Sequence, residues 1–245
     1  LVTAAGVPIA KMSGRGLGHS GGTLDKLESI RGFSSKISKD DFIENVKQNG
    51  LALCGQSQQL VPADKKIYEL RDVTATVDNF SLISSSIMSK KLACGADAIV
   101  IDIKVGNGSF MKTPEMAEEL AKMIIGIGSN MNKKTIAVLS DMNEPLGLAV
   151  GNALEVKEAI DTLNGQGPDD FLELCLELGS HMLLLGKVAK TREEAIKKLK
   201  NLIASGAAFE KFKTLILAQG GDLSVIENPD LLPGARFSKA VKSSE

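Results

Sequence analysis

The feature that most constrains this chain is a glycine-rich segment, Ser13-Gly-Arg-Gly-Leu-Gly-His-Ser-Gly-Gly-Thr23, with five glycines in eleven residues. A short apolar run over residues 7–12 precedes it and a helical pattern over residues 23–30 follows it, which predicts the order strand, loop, helix. Glycine loses much backbone entropy on folding, so five of them indicate that the loop backbone must approach something closely. Backbone N–H groups near the start of a helix bind anions, and we therefore expect an anion site here.

The spacing Gly16-Leu-Gly-His-Ser-Gly21 also matches the dinucleotide pattern GxGxxG. A dinucleotide-binding unit needs a second strand that ends in Asp or Glu about 20 residues later, and residues 31–37 do not form such a strand. A P-loop needs a Gly-Lys-Ser/Thr sequence at a fixed distance, which is missing. A tight turn without a ligand stays as the alternative to an anion site.

Strand and helix patterns alternate over the first 140 or so residues. Predicted strands cover residues 7–12, 51–54, 98–105 and 134–139, and predicted helices cover residues 38–48, 63–70, 79–94 and 113–131. From there on only helices are predicted, over residues 154–163, 169–185, 191–204 and 207–219. This alternation is typical of βαβ units, so we predict an α/β fold with a mainly parallel (mixed) sheet flanked by helices and a helical second half.

Composition excludes several classes of function. Lys and Arg number 29 against 30 Asp and Glu, so the net charge of −1 gives no overall attraction to nucleic acid. Aromatic residues make up only 4% of the chain and Trp is missing, which leaves few platforms for stacking bases. No run reaches the ~18 apolar residues that span a bilayer, and no signal-peptide pattern opens the chain. We expect no nucleic-acid partner, no membrane partner and a cytoplasmic location.

Three cysteines lie far apart in the sequence, at positions 54, 94 and 175. An odd number without CxxC-type spacing favours free thiols in a reducing compartment over disulfides or a zinc site.

Several ordered segments together are more specific than the glycine pattern alone. They are Ser13-Gly-Arg-Gly-Leu-Gly-His-Ser-Gly-Gly-Thr-Leu-Asp-Lys-Leu-Glu28, Pro62-Ala-Asp-Lys-Lys, Leu70-Arg-Asp-Val-Thr-Ala-Thr-Val77, Ser86-Ile-Met-Ser-Lys-Lys-Leu-Ala93, Val105-Gly-Asn-Gly-Ser-Phe-Met111 and Ala149-Val-Gly-Asn-Ala-Leu-Glu-Val156. Over most of its length the chain thereby resembles the thymidine and pyrimidine-nucleoside phosphorylases.

The resemblance implies reversible phosphorolysis of pyrimidine nucleosides (thymidine, uridine, deoxyuridine) to free base and (deoxy)ribose 1-phosphate in nucleoside salvage. It implies phosphate as co-substrate, no organic cofactor, and a homodimer in which the active site lies between a small helical domain and a large α/β domain. The family also carries an upstream Lys-His-Ser-Thr-Gly-Gly phosphate loop, which this sequence does not contain. We expect residues 1–235 to be the α/β phosphorylase domain, residues 236–245 to begin a truncated C-terminal region, and the chain alone to be inactive.

By this resemblance Ser13 and Thr23, at the two ends of the glycine segment, bind phosphate. Hydroxyl groups and backbone donors hold a phosphate without adding net charge. A helix N-cap is the alternative role for Thr23, because it precedes a helical pattern.

Arg71, Ser86 and Lys90 match the residues that bind the pyrimidine in the family. The leaving base gains negative charge as the glycosidic bond breaks, so cations at its carbonyls stabilise the transition state more than the ground state. The resemblance therefore makes Arg71 and Lys90 catalytic as well as substrate-binding. From spacing alone, Arg71 could pair with Asp72 at the surface and Lys90-Lys91 could form a solvated helix face.

Leu146, Ala149 and Glu158 match positions that bind K⁺ or Ca²⁺ in some family members, two through backbone carbonyls and one through its carboxylate. Oxygen ligands of this kind suit such ions. An exposed helical charge is the alternative for Glu158.

Two other functions stay open. An anthranilate phosphoribosyltransferase-like enzyme also holds phosphate in glycine loops, but it needs paired acids for a Mg²⁺-pyrophosphate site. A non-catalytic oligomerising fragment of the phosphorylase would retain the fold and bind phosphate weakly.

Overall fold

The structure is a computed structural model that describes residues 1–16, 21–57 and 60–242. The middle of the glycine segment, with His19 and most of the GxGxxG spacing, lies outside these described residues.

Four strands are described, and they pair in parallel. They are β1 (Ile9–Ser13), β2 (Leu51–Gly55), β3 (Ala98–Val105) and β4 (Lys134–Asp141). Ile9 of β1 lies opposite Leu51 of β2, and Ala98 of β3 lies opposite Lys134 of β4, with both registers running to the carboxyl ends of the strands. Each pair is joined through helices, as the alternating pattern predicted.

Helices flank these strands, and in the described residues every regular element after β4 is helical. They are α1 (Thr23–Leu27), α2 (Lys39–Asn49), α3 (Pro62–Val73), α4 (Phe80–Ala93), α5 (Pro114–Asn130), α6 (Asn152–Leu163), α7 (Asp169–Leu185), α8 (Arg192–Ala204), α9 (Ala207–Ala218) and α10 (Leu223–Glu227). The predicted fold class, α/β with parallel strands, flanking helices and a helical second half, is confirmed.

Helix starts follow the capping residues in the sequence. The side chains of Ser38, Asn79, Thr113 and Thr191 each accept a backbone N–H from the first turn of their helix. A cap of this kind satisfies a donor that would otherwise lack a partner, which explains why these boundaries were predictable.

The strands form two sheets where one was expected. In the described part of the chain β1 pairs only with β2, and β3 only with β4. A cavity of about 730 Å³ separates the two sheets, lined by residues of β1 and β3 and by Lys91 and Cys94. Periodicity indicates which segments are strands, but it carries no information on which strands become neighbours.

The core is divided among separate apolar clusters. One joins α1, α6, α9 and α10, and a second packs β3 against α4 and α5. A third lies between α7 and α8, and a fourth beneath β1 and β2. The first cluster includes Val225 and Ile226 of α10, a helix that was not predicted. The three cysteines are free thiols, as predicted, with only Cys54 fully buried.

Gln219 anchors the helical half to the outer strand of the first sheet. Its side-chain oxygen accepts the Leu53 N–H at 2.9 Å, and its amide nitrogen donates to the carbonyls of Leu53 and Ser34, each at 2.8 Å. The side chain is 3% exposed, so water does not replace these bonds. Gln219 therefore gives β2 the hydrogen bonds that a further strand would otherwise supply.

We expect Gln219→Ala to lower the free energy of unfolding by about 2–4 kcal/mol, since it leaves buried backbone groups of β2 without partners. Urea unfolding followed by circular dichroism measures the change. Leu217→Ala, in the last turn of the helix that Gln219 follows and 63% exposed, is the control and should change the midpoint little. Equal losses in both variants would show that Gln219 acts only through helix packing.

Candidate active site

The structure brings the three predicted base-binding residues into one buried cluster. Arg71 lies near the end of α3, and Ser86 and Lys90 lie one turn apart on α4, which packs against α3. Their exposed fractions are 4%, 4% and 7%. The alternative interpretations, a surface pair for Arg71 and a solvated helix face for Lys90, are therefore wrong. Burial of two cations is costly, so the cluster needs polar partners.

The ammonium group of Lys90 has three contacts in this cluster. It donates to a carboxylate oxygen of Asp64 at 2.9 Å and to the hydroxyl of Ser86 at 2.6 Å. The ring of Tyr68 lies beside it, with 5.0 Å between Nζ and the ring centroid. Burial lowers the pKa of Lys90, and the hydrogen bond and charge of Asp64 oppose that decrease.

Arg71 is held by backbone oxygens of the turn that follows α3. Its guanidinium donates to the carbonyl of Thr76 at 3.3 Å and to that of Val77. It also lies 5.9 Å from the centroid of the Tyr68 ring, so Tyr68 is shared by Arg71 and Lys90. Burial lowers the pKa of Arg71, although a guanidinium keeps its charge in proteins. The fork of donors is thus fixed before any ligand binds.

Ionic contacts hold the start of the glycine loop. Arg15 contacts the carboxylates of Asp25 at 2.6 Å and Glu28 at 2.8 Å, and the Gly16 N–H donates to Asp25 at 2.9 Å. Burial by itself would raise the pKa of Asp25, but the Gly16 and Arg15 hydrogen bonds outweigh it and leave the pKa below its usual value. Arg15 is therefore a residue that stabilises the loop.

Gly22 is required by close packing within the same loop. A Cβ at this position would lie 2.4 Å from the Gly16 nitrogen and 2.7 Å from the Arg15 carbonyl carbon, and backbone atoms cannot move aside cheaply. Part of the glycine pattern therefore has a purely steric cause.

Ser13 and Thr23 flank this loop. Ser13 ends β1 opposite Gly55 of β2, at the carboxyl edge where parallel sheets place their ligands. Thr23 is the first residue of α1, and the N-cap position belongs to Gly22, which makes no side-chain capping bond. The N-cap alternative for Thr23 is wrong.

Tyr68 connects the cationic cluster to the glycine loop. Its hydroxyl donates to the Arg15 carbonyl at 2.9 Å, and a Cβ at Gly14 would lie 3.0 Å from the Tyr68 oxygen. The helix that carries Arg71 thus contacts the loop that Ser13 and Thr23 flank.

Sequence reasoning missed Asp64 and Tyr68 as members of the site. The sequence could have placed both residues beside Arg71, because Asp64, Tyr68 and Arg71 recur at helical spacing on one face of α3. The sequence does not show that this face of α3 packs against α4.

Of the third predicted set, Ala149 and Glu158 are in direct contact. The carboxylate of Glu158 accepts the N–H groups of Leu148 at 2.8 Å and Ala149 at 2.9 Å, so it lies against the loop that contains Leu146. Glu158 is therefore not a freely exposed helical charge. Among the described residues, this region included, no group of three or more His, Cys, Asp or Glu side chains could hold a metal ion.

Comparison with known proteins assigns the class first. Residues 1–209 match the model of the glycosyl transferase family, a/b domain, and the chain belongs to that family. Within the parts of the chain that the structure describes, no helix has the length and apolar character needed to cross a membrane.

Similarity to individual proteins is more specific than the match to the family. The chain is 60% identical over 243 residues to the pyrimidine-nucleoside phosphorylase of Staphylococcus haemolyticus. It is 57% identical over 245 residues to the proteins of the same name from Geobacillus stearothermophilus and Bacillus subtilis. The matches cover 99–100% of this chain but only 56–57% of the relatives, so the chain spans little more than half their length.

We expect Asp25→Asn to reduce the acid sensitivity of the fold. The folded pKa of Asp25 is lowered, so its stabilising contribution is present above its unfolded pKa near 4 and is lost as the pH falls through the folded value. Urea unfolding at neutral pH and near pH 3 gives the comparison. The variant should lose less stability than the unchanged chain between the two conditions, whereas Asp97→Asn, at an exposed position, should not differ from it.

Identical pH dependence in Asp25→Asn and the unchanged chain would show that the Asp25 contacts with Arg15 and Gly16 do not stabilise the folded state.

Proposed function

We propose that this chain forms the central part of a pyrimidine-nucleoside phosphorylase, which cleaves thymidine, uridine or deoxyuridine with phosphate in nucleoside salvage. The products are the free base and (deoxy)ribose 1-phosphate, and no organic cofactor takes part. One observation carries the proposal: a buried cluster of Arg71, Ser86 and Lys90 is joined through Tyr68 to the glycine loop. The names of the relatives support it.

The cluster suits a leaving group that becomes negative. As the bond between sugar and base breaks, the base carries away the electron pair and the sugar becomes oxocarbenium-like. Arg71 and Lys90 would donate to the base carbonyls, and the Ser86 hydroxyl, which both donates and accepts, would contact the ring N–H edge. Because these groups are already fixed and dry, they stabilise the developing charge with little reorganisation.

Phosphate is the nucleophile in this proposal, and the protein holds it. Ser13 and Thr23 would donate to phosphate oxygens from the two ends of the glycine loop. Their neutral hydroxyls leave the charge of phosphate available for attack on C1 of the sugar. Alignment of phosphate and nucleoside in one cleft then supplies a further part of the rate enhancement.

A cation site at Glu158 is part of the proposal. One carboxylate beside the carbonyl oxygens of Leu146 and Ala149 is a donor set of hard oxygens with low total charge, which fits K⁺ or Ca²⁺. The hydrogen bonds that Glu158 accepts from the N–H groups of Leu148 and Ala149 support this proposal, because they hold the carboxylate against the loop that carries these two carbonyls. A bound cation would stiffen the loop before α6.

The proposal also covers the domain division and the oligomeric state. Residues 1–235 would form the α/β phosphorylase domain and residues 236–245 the start of a C-terminal region, within a cytoplasmic homodimer. The relatives extend well beyond this domain, since more than two fifths of their length lies outside the match.

A chimaera tests the function directly. In the Geobacillus stearothermophilus relative, this chain replaces the matched region, and release of thymine from thymidine with excess phosphate is followed by absorbance. We expect phosphorolysis at a rate comparable to that of the parent enzyme. A chimaera that instead joins anthranilate to phosphoribosyl diphosphate would support the phosphoribosyltransferase alternative, and a folded but inactive one the non-catalytic alternative.

In that chimaera Lys90→Ala should lower kcat more than it raises KM, because the cation acts on charge present only in the transition state. The expected cost is roughly 2–4 kcal/mol of barrier. Lys66→Ala, at an exposed lysine of α3, is the matched control. A rise in KM with unchanged kcat would show that Lys90 binds substrate without acting on the reaction.

The 245-residue chain by itself should release no measurable thymine. Ser13 and Thr23 are neutral, and hydrogen bonds of about 1–3 kcal/mol each hold a phosphate dianion only weakly against water. The same absorbance assay with millimolar phosphate measures this. A rate near that of the chimaera would show that this chain already contains every residue the reaction needs.

A further inference from the structure

Asp64 is a buried acid to which the proposed reaction assigns no role. It lies in the first turn of α3, and its side chain is 7% exposed, against 8% for that of its partner Lys90. Their charged atoms are 2.9 Å apart. A pair this close and this dry is costly to form and becomes very unfavourable if one partner is removed.

Two hydrogen bonds fix the orientation of the Lys90 ammonium group. An ammonium group has three N–H donors. Asp64 and Ser86 each take one, so the direction of the third is fixed by these two bonds. Without Asp64, the flexible stem of Lys90 would keep only the Ser86 bond, from a residue one turn away on its own helix.

Asp64 is in turn held from outside its helix. The side-chain amide of Gln56, in the segment that follows β2, donates to the same oxygen of Asp64 that accepts from Lys90. A continuous chain of hydrogen bonds therefore runs from the end of the first sheet through Asp64 and Lys90 to Ser86. The position of Lys90 depends on the sheet edge as well as on α4.

The other charged and titratable groups near Lys90 do not replace Asp64. Arg71 on α3 is a second cation that disfavours the charge on Lys90. Lys91, the neighbour on α4, is a third, and Tyr68 offers its ring. Among the described residues, Asp64 is the carboxylate within ion-pair distance of the Lys90 ammonium. If its charge is removed, burial and neighbouring cations favour loss of the Lys90 proton.

We propose that Asp64 is the positioning residue of this site: it directs the third N–H of Lys90 at the pyrimidine and keeps the lysine charged at neutral pH. The role in turnover rests on the proposed function, whereas the control of Lys90 is a property of this chain alone.

The first experiment needs no activity. Lysine side chains of the isolated chain are labelled with ¹³C and ¹⁵N, the Lys90 signal is assigned by its loss in Lys90→Met, and its titration is followed by NMR. We expect Asp64→Asn to lower the Lys90 midpoint by more than about one pH unit, since a unit corresponds to a tenfold change in protonated fraction. Asp64→Glu should restore most of it. Asp97→Asn, an exposed acid beyond α4, should leave it unchanged.

The second experiment measures phosphorolysis of thymidine against pH in the chimaera. Asp64→Asn should move the basic limb of kcat to lower pH, and Asp64→Glu should return it towards its original position. A purely structural role for Asp64 would reduce kcat at every pH without moving this limb.

An unchanged NMR midpoint in folded Asp64→Asn would overturn the proposal, and so would an unchanged basic limb in an active chimaera. If the NMR midpoint falls but the unsubstituted chimaera has no phosphorolysis, the control of Lys90 stands and the proposed function fails. If Asp64→Asn does not fold, Asp64→Glu still decides, because a longer carboxylate must retain the charge on Lys90 for the proposal to hold.

Discussion

The structure of this site depends on the burial of two positive charges between α3 and α4. The free-energy cost of desolvating Arg71 and Lys90 exceeds what their contacts with apolar neighbours contribute. Each cation therefore needs polar partners within hydrogen-bonding distance. Asp64 and Ser86 satisfy Lys90, and the carbonyls of Thr76 and Val77 satisfy Arg71. In the described part of the chain, no buried side-chain nitrogen or oxygen lacks a hydrogen-bond partner. Both cations are thus fixed in place, and the free-energy cost of their desolvation is already offset when the chain folds.

The glycine loop meets this cluster because of how the first sheet is built. Parallel strands β1 and β2 end at the same edge, which brings Ser13 beside Gly55 and places the segment before α3 next to the loop. Tyr68 then closes the contact through its hydrogen bond to the Arg15 carbonyl. The residues proposed to bind phosphate and those proposed to bind the base are adjacent for this reason, as the proposed transfer between phosphate and nucleoside requires.

Much of the fold was predictable from local signals. Helix starts at Ser38, Thr113 and Thr191 follow from side chains that cap backbone N–H groups within their own first turn. Strands such as β3 follow from short apolar runs, and Arg71, Ser86 and Lys90 were found through their resemblance to a known family. These signals involve residues near one another in the chain, so periodicity and motif capture them.

The pairing of elements was decided only in three dimensions. Nothing local distinguishes one parallel sheet from the two observed, because an apolar strand pairs equally well with any partner that its connections allow. Nor could the sequence show that Asp64 would meet Lys90, 26 positions away, or that Gln219 would complete the edge of β2. The sequence by itself determined the elements, their caps and the types of residue that carry chemistry. The tertiary structure determined which buried charges face each other, because the cost of desolvation is met only when distant partners are brought within hydrogen-bonding distance.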